Sequence, residues 1–89
     1  MIYIYGNMRE QAIQSKLIKS LESQGYYVIK LIKTNKNGIP DVIAIPPGCP
    51  VEFYEVKVPG KKPSVLQDYR LKELKDHGCK AELYDGRDS

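Results

Sequence analysis

Two acidic residues in the middle of the chain have the types and the spacing for metal-assisted chemistry. Apolar segments flank a proline-rich turn around Gly48, and a hairpin centred there pairs residues whose numbers add up to about 96. Asp41 then lies opposite Glu55, with the two Cβ atoms ~5 Å apart, where like charges destabilise a sheet. A divalent cation between the carboxylates removes that repulsion. The pair therefore predicts a metal site.

A lysine joins this pair on the same face of the sheet. Lys57 follows Glu55 by two positions, and residues two apart in a strand point the same way. Two carboxylates and a lysine suit hydrolysis of a phosphodiester: the metal lowers the pKa of a bound water, and the lysine stabilises charge that develops in the transition state. The alternative is structural. Glu55 and Lys57 would then be a surface ion pair of small energetic value, and Asp41 a solvated acid at the start of a strand.

The apolar periodicity predicts the elements that position these residues, in an α/β fold with a small mixed sheet flanked by helices. The first helix has Ile13, Leu17, Ile18 and Leu21 on one face and ends at Gly25. Three strands follow, at 26–32, 42–45 and 51–58. A second helix runs from a Ser64 cap to about His77 with Val65, Leu71 and Leu74 inward, and the last strand is at 81–84. An optional first strand makes the order (β)αβββαβ.

The two ends of the chain are expected to lie outside the core. We predict one domain over 1–89, with a core at 8–84 and a polar tail at 85–89. Residues 1–7 form either an extra edge strand at 2–5 or a flexible N-terminus. Asn7 and Glu10 have the spacing of a capping box at the start of the first helix.

Length and composition narrow the class of protein. A chain of 89 residues with 14 basic and 11 acidic side chains allows one domain, with any site at the surface or in a shallow cleft. The net charge of +3 is too weak by itself to indicate a polyanionic partner. No apolar run reaches the ~20 residues of a membrane span. Cys49 and Cys79 lack zinc-ligand spacing, so we expect reduced thiols and a cytoplasmic protein.

The sequence resembles a known nuclease family. The segment GIPD at 38–41, followed by EVK at 55–57, is similar to the PD-(D/E)XK signature. More narrowly, the chain resembles a stand-alone VRR-NUC domain of the type found in phage and bacterial proteins. The likeness runs from about Met8 to Tyr84 and includes Glu10 on the first helix and the helix opening Ser64-x-x-Gln67. It implies a restriction-endonuclease-like core.

The resemblance also implies roles for individual residues. By analogy, the metal ligands for Mg²⁺ or Mn²⁺ are Glu10, Asp41, Glu55 and the backbone carbonyl of Val56, and the catalytic set is Asp41, Glu55, Lys57 and Gln67. Two of these have competing structural explanations. Glu10 fits the capping box with Asn7, and Gln67 fits a capping box with Ser64.

The implied activity is metal-dependent cleavage of DNA, branched or duplex, in a bacterial cell or a phage-infected host. Stand-alone relatives resemble Holliday-junction resolvases and can be dimers that act on branched DNA, so the resemblance implies a homodimer. Phosphate contact is predicted for the loop lysines Lys33, Lys36, Lys61 and Lys62, although such residues are often only solvated charges. Two other functions stay open: a catalytically silent nucleic-acid-binding or assembly module, and an RNA-cutting toxin-like nuclease.

Overall fold

Two helices cover a four-stranded sheet, one on each face. The computed structural model describes the backbone of residues 2–48 and 50–87 and the side chains of residues 9–48 and 50–87. The elements are α1 (Ile2–Ser23), β1 (Tyr27–Lys30), β2 (Val42–Ile45), β3 (Glu52–Val56), α2 (Val65–Asp76) and β4 (Lys80–Tyr84). The predicted α/β order is confirmed without its optional first strand. Predicted strand ends are off by one or two residues, the usual uncertainty of such boundaries.

Helix α1 buries one stripe against the sheet. Leu17 and Leu21 are four residues apart, which places them on the same side of the helix, and both are buried. Ile13 and Ile18 pack against the same cluster. The chain leaves α1 through Gly25 at φ +90°, a backbone conformation that glycine adopts without steric cost. The predicted inward stripe and the predicted stop are both confirmed.

The first residues of the chain belong to α1. Because α1 begins at Ile2, the predicted edge strand at 2–5 is wrong. Asn7 lies inside α1, so it is not at the N-cap position that the predicted capping box requires. A short apolar run does not distinguish strand from helix. A helix satisfies its backbone hydrogen bonds within the segment, whereas a strand needs a neighbour.

The sheet has the strand order β1-β2-β3-β4. The pairs β1/β2 and β2/β3 are antiparallel, and β3/β4 is parallel, with α2 as the crossover. In the β2–β3 hairpin Val42 faces Tyr54 and Ile43 faces Phe53. This is the predicted register. One further step along the same ladder places Asp41 opposite Glu55.

The core lies between the sheet and α1. Its buried residues are Leu17, Leu21, Val42, Ala44, Tyr54 and Val56. Burial of each large aliphatic side chain contributes about 1.5–3 kcal/mol. Because neighbouring strand residues point to opposite faces, Glu55 points away from this core. On that other face lies α2 with its buried Leu71.

Helix α2 begins with the predicted capping box. The Ser64 side chain accepts the Gln67 backbone N–H, and the Gln67 side chain accepts the Ser64 backbone N–H. Leu71 is buried as predicted, but Val65 is 91% exposed, so its predicted inward position is wrong. Val65 is the first helical residue. The stripe that faces the sheet starts at Gln67 and continues four residues later at Leu71.

Two further expectations concern the membrane and the thiols. Within the residues that the structure describes, no helix is both long enough and apolar enough to cross a bilayer. Cys79 is partly buried and forms no disulfide with any residue that the structure describes. Cys49 lies outside the described residues, so the pairing state of the two cysteines stays a prediction.

Candidate active site

Asp41 is held at the entrance of β2 by backbone contacts. It follows Pro40, which is fully buried. The Asp41 backbone carbonyl accepts a hydrogen bond from the N–H of Leu31 at 2.7 Å. Its carboxylate Oδ2 accepts the backbone N–H of Val56 at 3.0 Å. The side chain is therefore fastened to β3 at the level of Glu55.

Glu55 is a buried acid with incomplete hydrogen bonding. It is only 2% exposed. Its Oε2 accepts a hydrogen bond from Gln67 Nε2 at 3.2 Å and lies 3.7 Å from Lys57 Nζ. Its Oε1 is buried and has no hydrogen-bond partner. The interpretation of Glu55 and Lys57 as a surface ion pair is therefore wrong for the glutamate, because Glu55 is buried. A buried carboxylate oxygen without a partner is costly in free energy.

The electrostatics of Glu55 reflect this position. Burial is the largest cause that raises the pKa of Glu55, to about 8, and the carboxylate of Asp41 is the next. The ammonium of Lys57 acts in the opposite direction, and Glu10 on α1 adds a weaker repulsion. Strong pKa perturbation by burial and a specific charge is typical of functional sites. Burial and the charge of Asp41 thus both favour the protonated form of Glu55.

Lys57 stands at the end of β3 beside β4. Its backbone N–H donates to the carbonyl of Tyr84 at 3.0 Å, which continues the parallel pairing by one residue. The side chain is 20% exposed. The ammonium is thus partly buried next to Glu55 and is still open to solvent. It is therefore accessible to a ligand from the surface.

The two polar atoms of the Gln67 side-chain amide make different contacts, one with the helix cap and one with the site. Oε1 accepts the backbone N–H of Ser64 at 2.9 Å, and Nε2 donates to Glu55 Oε2 at 3.2 Å. The sequence left capping and a place in the site as competing explanations. The structure shows that both contacts exist together.

The carboxylates fit a divalent cation in part. Asp41 and Glu55 face each other, and the unpartnered Oε1 of Glu55 is an oxygen of the kind that Mg²⁺ and Mn²⁺ bind. Among the side chains of residues 9–48 and 50–87, however, no three His, Cys, Asp or Glu are grouped closely enough to hold a metal ion. The structure therefore brings together Asp41, Glu55, Lys57 and Gln67. Glu10 is not grouped with them closely enough to complete a metal site, although its charge still repels that of Glu55.

The predicted DNA-binding lysines fall into two places. Lys33 and Lys36 line a hollow of about 290 Å³ whose wall also includes Asp41. Lys61 and Lys62 are exposed in the loop after β3 and do not line this hollow. The first pair is therefore adjacent to the site by direct observation. Lys61 and Lys62 follow Lys57 by four and five positions in the chain.

Two residues of α2 support the site and were not singled out from the sequence. Arg70 Nε donates to the backbone carbonyl of Asn37 at 2.9 Å. Leu66 lies against Gly38, where an added Cβ would come within 2.7 Å of Leu66 Cγ. Both contacts fasten the loop that leads into Asp41. The four-residue spacing of Leu66 and Arg70 indicates that they share one side of α2. Nothing in the neighbouring sequence indicates that this side contacts the loop before Asp41.

The fold and the site together define a class of protein. A mixed sheet between two helices, with an acid pair and a lysine at one end of a hairpin, has the arrangement of PD-(D/E)XK nuclease domains. The sequence comparisons agree. The profile of the VRR-NUC domain matches residues 5–88. The chain belongs to the VRR-NUC family of nuclease domains.

Individual relatives show the same family. The chain is 30% identical over 66 residues to "Putative nuclease p44" of Acyrthosiphon pisum secondary endosymbiont phage 1, an alignment that covers 74% of this chain and 68% of the relative. A solved structure described as a VRR_NUC domain superimposes with a TM-score of 0.78, at 24% identity, over 86% of this chain and 84% of the other. That structural likeness confirms the predicted fold class.

Proposed function

We propose that this protein is a DNA endonuclease that hydrolyses phosphodiester bonds with the help of Mg²⁺ or Mn²⁺. The observation that carries the proposal is buried Glu55, whose Oε1 lacks a partner and whose Oε2 lies 3.7 Å from Lys57 Nζ. A buried carboxylate of this kind, opposite Asp41, is expensive in free energy. A cation shared by the two acids would supply the missing contact and remove the repulsion.

The residues of the chain have distinct roles in this proposal. Asp41 and Glu55 hold the cation, with the backbone carbonyl of Val56 as a further ligand and Glu10 as an additional negative charge. The cation supplies Lewis-acid chemistry, because it lowers the pKa of a water and neutralises phosphate charge. Lys57 stabilises the charge that develops on the phosphate. Gln67 fixes the orientation of Glu55 through its 3.2 Å hydrogen bond.

Branched DNA is the proposed preferred substrate, and a homodimer is the proposed active form, in the cytoplasm of a bacterial or phage-infected cell. A shallow site on a small protein suits a bulky substrate. Symmetric incision of a four-way junction needs two sites related by a two-fold axis. An apolar surface at and after edge strand β1 supports a second copy as partner: Tyr27, Ile29 and Ile32 are 70%, 40% and 88% exposed.

Cleavage assays test the proposal directly. Purified protein is mixed with a four-way junction, a duplex, single-stranded DNA and RNA, each with Mg²⁺, with Mn²⁺ or with EDTA. We expect metal-dependent cleavage of DNA that is fastest on the junction. Asp41→Ala, Glu55→Ala and Lys57→Ala should each lower the rate on the order of 10²-fold or more, as is usual when a group that stabilises the transition state is removed.

The control variant changes an exposed acid on α1 that lies outside the site. Glu22→Ala removes an exposed carboxylate roughly 18 Å along the helix from Glu10, at 1.5 Å per residue. This variant should cut like the wild type. If the three site variants cut as fast as Glu22→Ala, the site assignment is wrong. Cleavage of RNA but not DNA would favour the toxin-like nuclease instead.

A catalytically silent DNA-binding module is the second candidate. The observation that favours it is the lack of a third carboxylate beside Asp41 and Glu55 in the part of the chain that the structure describes. This candidate predicts salt-sensitive DNA binding without metal-stimulated cleavage. Calorimetric titration with Mn²⁺ separates the two, because a silent module shows no uptake that Asp41→Ala abolishes.

A further inference from the structure

We propose that a groove between α1 and the segment after β4 binds the sugar-phosphate backbone of the nucleic acid strand on one side of the cleaved phosphate. The inference rests on the proposed function and extends it to a binding surface outside the carboxylate site. The groove has a volume of about 550 Å³, and its lining includes Arg9 and Lys16 of α1 together with Arg87.

The wall of the groove is shaped by a close contact. Gly86 has φ +86°, and a Cβ added there would lie 3.4 Å from Ile13 Cγ2. The segment after β4 therefore passes close to α1 at this point. Tyr84, whose ring packs edge-on against Tyr54 of the core, also lines the groove. Apolar side chains beside basic ones suit the sugar and phosphate parts of a nucleotide.

The charge of the groove is positive. Its lining contains three basic side chains and one acid, Asp85. Asp85 Oδ2 pairs with Arg87 Nη2 at 2.6 Å, which offsets part of that charge. Arg9 and Lys16 form no ion pair with any side chain that the structure describes. Two unpaired cations on one helix are a suitable surface for a polyanion.

The two cations of α1 lie on the same side of the helix, because seven residues are close to two full turns. Arg9 and Lys16 are seven residues apart on α1, which is roughly 10 Å along the helix axis. Two cations at this separation can each contact a phosphate of the same strand. Contacts of this kind give affinity and position without reading the base sequence.

The groove adjoins the candidate active site. Arg9 directly precedes Glu10, whose charge repels that of Glu55. Tyr84, which lines the groove, accepts the backbone N–H of Lys57 at 3.0 Å, and Pro59 of the lining lies two residues after Lys57. A strand whose phosphate lies at Lys57 can therefore continue into the groove. The hollow with Lys33 and Lys36 borders Asp41 instead, so the two basic surfaces adjoin different residues of the site.

DNA binding without cleavage tests this inference. Fluorescence anisotropy with a labelled junction and a labelled single strand is measured in EDTA at several salt concentrations. The variants are Lys16→Glu, Arg87→Glu and the double variant, and the milder Lys16→Gln and Arg87→Gln cover the case in which charge reversal disturbs the fold. The control is Lys75→Glu, an exposed lysine on α2 at the other face of the sheet.

We expect the double charge reversal to raise the Kd at low salt by about tenfold or more. The slope of log K against log salt should become shallower by roughly 0.9 for each duplex phosphate contact that is lost. The glutamine variants should show smaller changes in the same direction, and Lys75→Glu should match the wild type. Equal Kd and equal slope for the groove variants and Lys75→Glu would overturn the inference.

The two proposals can fail separately. If the protein binds DNA through Lys16 and Arg87 but cuts no nucleic acid with any metal, the groove stands and the nuclease proposal is wrong. If the protein cuts DNA while the groove variants bind like Lys75→Glu, the groove assignment is wrong and the nuclease stands.

Discussion

Gln67 Nε2 lies 3.2 Å from Glu55 Oε2 while Gln67 Oε1 caps the first turn of α2. One side chain thus links the start of a helix to the buried acid of the site. Because α2 is locked to the sheet by Leu71, the cap also sets the position of the amide that orients Glu55. If the proposed function is right, Gln67 should contribute to both stability and activity, and variants can separate the two contributions.

Ser64 and Gln67 provide that separation. Ser64→Ala removes one half of the capping box and should lower the free energy of unfolding by about 1 kcal/mol, with cleavage within twofold of the wild type. Gln67→Ala removes the cap oxygen and the donor to Glu55, so it should cost about 1–2 kcal/mol and at least tenfold in cleavage rate. Chemical denaturation and kinetics measure both. Equal activity losses would show that the Glu55 contact has no separate role.

The raised pKa of Glu55 makes stability depend on pH. In the folded protein without metal the pKa is about 8, against 4.5 in the unfolded chain. Between these values the folded state holds a proton that the unfolded state has released, so the free energy of unfolding falls as pH rises. The slope should reach up to about 1.4 kcal/mol per pH unit.

Urea unfolding in EDTA at several pH values checks this dependence. Glu55→Gln keeps the shape of the side chain and has no proton to lose, so its stability should change less between pH 5 and 8 than that of the wild type. Above pH 8 the variant should be the more stable of the two. A wild-type curve as flat as that of Glu55→Gln would contradict the raised pKa.

The same proton should compete with the metal. Below pH 8 a cation that binds Glu55 must displace the proton, so apparent Mn²⁺ affinity should rise by up to tenfold per pH unit from pH 6 and level off above about 8. Calorimetry in buffers of different ionisation heat counts the released protons, and we expect roughly one per cation at pH 6.5. Affinity that does not vary with pH would place the metal away from Glu55.

Arg70 is expected to act through the loop before Asp41. Arg70→Ala removes the hydrogen bond to the Asn37 carbonyl, and we expect a loss of about 1–2 kcal/mol in stability. The cleavage rate should fall about tenfold because Asp41 is held less firmly, and amide hydrogen exchange of residues 33–38 should become faster. Arg70→Lys should rescue part of both losses.

Glu73 is the matched control for Arg70. Glu73→Gln breaks the 2.9 Å ion pair with Arg70 Nη1 and leaves the bond from Arg70 Nε to the loop in place. It should therefore cleave within twofold of the wild type, with wild-type exchange in the loop. If Glu73→Gln and Arg70→Ala behave alike, the ion pair rather than the loop contact is what matters.

Local patterns in the sequence were sufficient for much of this fold. The hairpin register, with Val42 opposite Tyr54, follows from a turn around Gly48 and the two-residue period of strands. The capping box of Ser64 and the stop at Gly25 depend only on residues within one turn. The edge strand predicted at 2–5 was wrong because a run of four apolar and aromatic residues satisfies either periodicity.

The tertiary structure decided how the site is built. The sequence by itself placed Asp41, Glu55 and Lys57 together, because all three lie on one hairpin whose register is local. It did not determine the burial of Glu55, which depends on α2 lying over that face of the sheet. The groove at Arg9 likewise exists because Gly86 comes close to Ile13, more than seventy residues earlier in the chain. Contacts over that separation depend on packing, and no local periodicity encodes them.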